Sequence, residues 1–149
     1  MPDRGQSDDE LTDKDVASID TDVLDRIGGY LSGSERFSDV EVRPKGSPNS
    51  VIAEYNLGYF PSHIQTAYIQ IRWYKTDDFN VHYREQHNND NTWECRWDRH
   101  PNSHNTRDHF HPPPVAEKPG EDADFSNDWR EVLTLVIDEL DSRVRSFWE

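Results

Sequence analysis

Cysteine is nearly absent: Cys95 is the single one in 149 residues, so no intramolecular disulfide can form and a stapled, exported scaffold is ruled against. Long apolar runs are missing as well. No stretch approaches the roughly 18 apolar residues of a membrane-spanning helix, and Met1 to Asp15 is acidic where a signal peptide would be apolar. The expected location is therefore the cytoplasm, with no membrane partner. Positive charge is scarce: 16 Lys+Arg face 30 Asp+Glu, a formal charge of −14. Lysine is the rarer base and aspartate the commoner acid. Short, strongly hydrated carboxylates keep a surface wet and mutually repelling when salt competes for water, which points to a halophilic protein; a mesophilic acidic adaptor is the alternative. Five Trp, six Tyr and six Phe argue against disorder of the whole chain, because that many rings can bury a core.

A chain of this length has room for one domain, since domains typically run to roughly 100–150 residues. Residues 1–17 are polar, charged and aperiodic, which predicts a disordered acidic tail ahead of a single domain over residues 18–149. From Thr21, the apolar residues Val23, Leu24, Ile27, Tyr30 and Leu31 follow one helical face, with Asp20 or Thr21 as N-cap and a weakening Gly28-Gly29 pair. Strand-like alternation then occupies Asp39–Arg43, Val51–Leu57, Thr66–Tyr74, Phe79–Glu85 and Thr92–Asp98. The turns between them are short, which favours antiparallel pairing over parallel crossovers. After Pro112-Pro113-Pro114 and a charged Pro/Gly loop, a helix is predicted with Val132, Leu133, Val136, Ile137, Leu140, Val144, Phe147 and Trp148 as its buried stripe. The expectation is an α+β fold: an antiparallel β-sheet meander of about five strands, with an N-terminal and a C-terminal helix packed on one face.

Side chains alternate across a strand, so Ala67, Ile69, Ile71 and Trp73, then Phe79, Val81 and Tyr83, then Trp93, Cys95 and Trp97 share the core face. The other face carries Arg72, His82, Arg84, Glu94, Arg96 and Asp98. Next comes Arg99-His100-Pro101-Asn102-Ser103-His104, leading through Arg107 to His109-Phe110-His111. Four of the seven histidines thus fall within twelve residues. Arg72 to His111 holds six bases and seven acids, nearly neutral within a chain of −14, and protonated histidines would make it cationic. A phosphate belongs there more readily than elsewhere.

Metal-free RNA cleavage needs a base for the 2′-hydroxyl, an acid for the leaving oxygen and a cation beside the phosphorane. His100, His104, His109 and His111 are the candidates for proton transfer, Asp98 for holding an imidazole, and Arg96 for charge stabilisation. Arg72, His82, Arg84, Arg99 and Arg107 are the candidate substrate contacts. No cofactor is required. The same histidines with Asp98 could instead hold zinc or manganese, although their order matches no known finger or metallopeptidase signature. A noncatalytic module, using the polar face and the histidine segment to bind a protein, is the reading from another class.

Arg96-Trp97-Asp98, His100-Pro101 and the closing His109-Phe110-His111 resemble the TumE-type toxin component of prokaryotic type II toxin–antitoxin pairs, over roughly residues 66–114. The resemblance implies a helix, an antiparallel sheet, a helix-turn-helix antitoxin as partner and RNA or its handling as target. Self-association into a homodimer is left open. The acidic tail and Arg99 depart from the family pattern.

Overall fold

The computed structural model describes residues 18–44, 49–100 and 107–149. The predicted tail, residues 45–48 of the first turn and His104 lie outside the described residues. Helix α1 (Thr21–Ser32) begins where the Asp20 carboxylate accepts a hydrogen bond from the Val23 amide at 3.1 Å, the standard way to satisfy a free N–H at a helix start. Then come strands β1 (Phe37–Arg43), β2 (Ser50–Tyr55), β3 (Ile64–Trp73), β4 (Phe79–His87), β5 (Thr92–Arg99), β6 (Asp108–His111) and β7 (Glu121–Asp122), and helix α2 (Trp129–Ser146).

Among the described residues all seven strands form one antiparallel sheet in chain order. The class agrees with the sequence reading, but seven strands replace the expected five. The two additional ones are four and two residues long, too short for a periodicity to show. Their pairing, β6 on β5 and β7 on β6, comes from the sheet rather than from local preference. Strand β2 stops at Tyr55 because Asn56 caps a 3-10 turn, accepting from the Gly58 amide at 2.9 Å.

Alternation sorts the side chains as expected. One cross-strand row runs Val42, Val51, Ile71, Val81, Trp97 and Phe110 and belongs to the core with both helices. The neighbouring row, Glu41, Ile52, Gln70, His82, Arg96 and His111, points the other way. Within the core Trp73 stacks on Phe79 with ring centroids 4.8 Å apart, and α2 buries Val132, Leu133, Val136, Ile137 and Leu140. Each such side chain contributes about 1.5–3 kcal/mol on removal from water. Trp148, expected in that stripe, is 63 % exposed; α2 ends at Ser146, and the indole N–H donates to the Tyr59 carbonyl at 3.0 Å. Cys95 lies in the core, where burial pushes its thiol up to about 12, which makes it a small hydrophobe rather than a nucleophile.

The helix-facing side also holds Glu85, fully buried. Its carboxylate accepts from the Tyr83 hydroxyl at 2.6 Å, from Arg143 at 2.8 and 3.0 Å, and meets His87 Nε2 at 2.9 Å. Burial alone would raise this carboxyl, but the bonds from Arg143, Tyr83 and His87 outweigh it and hold the pKa below its ordinary value. Arg143 also lies 3.8 Å over the Trp93 ring, so one guanidinium joins α2 to the sheet.

Two outcomes follow from this packing. A Cβ on Gly28 would stand 2.7 Å from Val42 Cγ2, whereas one on Gly29 meets nothing within 4 Å. Gly28→Ala therefore costs about 1–3 kcal/mol by overpacking the α1–β1 contact, and Gly29→Ala stabilises by about 0.5–1 kcal/mol; urea unfolding of the two variants measures the difference. For Glu85, a folded pKa depressed below the unfolded value of about 4.3 gives stability that is present above that pH and lost as pH falls through the folded value. Glu85→Gln flattens this acid limb, read from melting temperature against pH.

Candidate active site on the open sheet face

Strand β6 decides the site. Its residues pair Arg96 with His111, Trp97 with Phe110, Asp98 with His109 and Arg99 with Asp108. Because directly opposed residues share a face, His109 and His111 join Asp98 and Arg96 on the side away from the helices. Phe110 turns inward against Trp97, with centroids 5.4 Å apart.

At the centre sits Asp98, 2 % exposed. Arg96 Nε donates to its Oδ2 at 3.0 Å, and His111 Nε2 lies 3.2 Å from the same oxygen. His111 Nδ1 is 3.0 Å from the Glu117 carbonyl, which can only accept, so Nδ1 carries the proton. Nε2 then faces a donor and an acceptor at once, since Arg96 Nη2 is 3.3 Å away. A neutral ring accepts from Arg96 and an imidazolium donates to Asp98; both states have a partner. Asp98 Oδ1 instead looks towards His100 Nε2 at 3.8 Å and His109 Nδ1 at 4.0 Å. The more accessible members of the group are His100 and Arg96, half-buried with side chains 20 % and 16 % accessible against 5 % for His111.

The structure thus brings together Arg96, Asp98, His100, His109 and His111. Around them on the same face lie other expected residues. His82 pairs with Arg96 across the strands and bonds Glu94 at 2.8 Å; burial lowers its pKa, with the Glu94 bond pulling the other way. Arg84, 40 % accessible, is 3.9 Å from Glu94, and Arg72 opposes Asn80, which opposes Asp98. Of the other two expected substrate contacts, Arg107 lies at the end of the β5–β6 pairing, where its carbonyl accepts from the His100 amide, and Arg99 is placed elsewhere. Arg107 pairs with Asp78 in the β3–β4 turn. Arg99 is buried against the ring of Phe79, on the helix side.

Arg99 grips Asp108 with two bonds of 2.7 and 2.9 Å, and donates further to Asn127 Oδ1 and to the carbonyls of Phe125 and Asp77. Asp108 in turn accepts from the Phe125 amide at 2.7 Å. These bonds from Arg99 and Phe125 hold its carboxyl below the ordinary range, against the opposing effect of burial.

Three contributors escaped the sequence reading. Asp122 in β7 places Oδ1 3.8 Å from His109 Nε2. Glu117 fixes the His111 tautomer through its backbone. Gly120, at φ 89°, packs its backbone on the His111 ring so closely that a Cβ would stand 2.8 Å from Nδ1. Only the Pro-Gly turn signal before Glu121 hinted at a special backbone there; neither a two-residue strand nor a carbonyl contact leaves a trace in residue types.

Fold and site define a small α+β protein with a His/Asp/Arg centre on the uncovered face of an antiparallel sheet. The chain belongs to the family described as Toxin TumE, whose sequence model matches residues 27–144, from the middle of α1 into the last turn of α2. It is accordingly a toxin, and the match takes in every strand and every site residue named above. Neither a curated protein nor a solved structure matches the chain.

The Arg99 clamp gives the testable outcome of this geometry. Arg99→Met strands the Asp108 carboxylate and costs about 3–5 kcal/mol, the usual penalty for breaking a buried pair from one side. The double change Arg99→Met/Asp108→Asn costs less than that; guanidinium unfolding compares the two.

Proposed function

We propose that this toxin cleaves RNA at the open face of the sheet and that a helix-turn-helix antitoxin holds it in check. One observation supports the reading above all others: three imidazoles and a guanidinium converge on a buried carboxylate where two consecutive strands, β5 and β6, pair. His111, with a donor and an acceptor at Nε2, is built to move a proton at a reacting oxygen. Arg96, its guanidinium oriented by Asp98, stands where it can neutralise charge growing on a phosphate. Arg84 and Arg72 on the same face extend the cationic strip along a backbone.

An acidic protein acting on RNA meets repulsion only within the screening length. In about 1 M salt that length is about 3 Å, so distant carboxylates are nearly silent. The same screening weakens counterion release as a driving force, which leaves recognition to local hydrogen bonds and stacking. Tyr68, half-buried in the row of Arg84 and Glu94, offers a ring for it.

Inducing the gene is expected to arrest growth, and co-expressing the partner encoded beside it to restore it. The His100→Ala/His111→Ala double variant relieves the arrest and lowers RNA cleavage by the purified protein at least about 100-fold, the smaller end of what a proton-transfer group contributes. Circular dichroism verifies that the variant folds. A folded double variant as toxic as its parent overturns the proposal.

A further inference from the structure

One oxygen of Asp98 is unaccounted for. Oδ2 is engaged by Arg96 and His111, but Oδ1, on a side chain 2 % exposed, has no hydrogen-bond partner among the described residues. Native structures seldom leave such an atom without a reason. His100 Nε2 and His109 Nδ1 face it at 3.8 and 4.0 Å, and the three donor atoms lie within 4.8 Å of one another. These gaps are too long for hydrogen bonds. They are close to the spacing of ligands around a small cation, since donors about 2.1 Å from a tetrahedral zinc stand about 3.4 Å apart.

We propose that Asp98 Oδ1, His100 Nε2 and His109 Nδ1 bind one divalent transition metal. Two imidazoles and a carboxylate suit zinc or manganese, and three protein ligands leave a position open for water or substrate. The surroundings favour ligation independently. Arg96 holds Oδ2 and thereby aims Oδ1 at the two rings. The Asp122 carboxylate, 3.8 Å from the other nitrogen of His109, Nε2, acts through space and favours the ring tautomer that carries its proton there and leaves Nδ1 free for an ion. With the ion in place His100 and His109 are ligands, and His111 and Arg96 beside them serve proton and phosphate. The metal-free chemistry expected from the sequence then gives way to metal-assisted chemistry. The use of the ion in cleavage rests on the proposed function; its binding does not.

The test uses the full chain, purified without a histidine tag, stripped with a chelator and titrated with Zn²⁺ by calorimetry and with Co²⁺ by visible absorption. One ion per chain is expected, with ligand-field bands for Co²⁺. His100→Ala and His109→Ala each weaken binding at least about 100-fold, and Asp122→Asn, which removes a charge 3.8 Å from the His109 ring, weakens it less. His63→Ala, exposed and distant in the β2–β3 connection, leaves binding unchanged. His100 is partly accessible, so its variant remains informative where His109→Ala fails to fold. Absence of saturable binding, or binding indifferent to His100→Ala, overturns the proposal. Metal binding without RNA cleavage supports the site and overturns the ribonuclease; cleavage by stripped protein that binds no metal does the reverse.

Discussion

A single buried guanidinium sets the geometry on which the site depends. Nothing in β6, four residues long, could fix its own register. Arg99 does so by holding Asp108 through two short bonds, while its remaining N–H groups hold the segment before α2. Shift that pairing by one residue and alternation would send His109 and His111 into the core and Phe110 into solvent. The planar fork of an arginine suits the task, because it satisfies a carboxylate bidentately and still has donors left for neighbouring carbonyls.

The two faces of the sheet treat a buried carboxylate differently, and the contrast separates structure from chemistry. On the helix side, both oxygens of Glu85 are bonded, to Tyr83, His87 and Arg143. A network satisfied in this way rigidifies its surroundings and offers nothing to a ligand. On the open side Asp98 is engaged at Oδ2 and, among the described residues, open at Oδ1. Unsatisfied, buried and ringed by imidazoles, that oxygen is the place where a further atom completes the arrangement.

Membership of the Toxin TumE family gives the centre its biological setting. Charge distribution agrees with a site of this kind: the segment from Arg72 to His111 is almost neutral while the chain as a whole carries −14. The acids that dominate elsewhere stand mainly on exposed positions such as Asp25, Asp39, Glu131 and Asp138, where they hydrate the surface without reaching the centre.

Residue patterns alone determined both helices, the five longer strands and which residues of those strands face the core, because periodicities of 3.6 and 2 are written in consecutive residues. They also singled out the histidines and Arg96, since side-chain chemistry is legible without coordinates. Tertiary structure decided the rest. Strands β6 and β7 exist only because β5 pairs with β6 and β6 in turn with β7; Arg99 belongs to the core because Asp108 and Phe125 reach it; and Gly120, Glu117 and Asp122 shape the imidazoles through contacts that no spacing encodes. Gly28, which in isolation weakens a helix, proves to be the gap through which Val42 approaches it. The dividing line is range: what neighbouring residues impose on one another can be read along the chain, and what distant segments impose appears only once they meet.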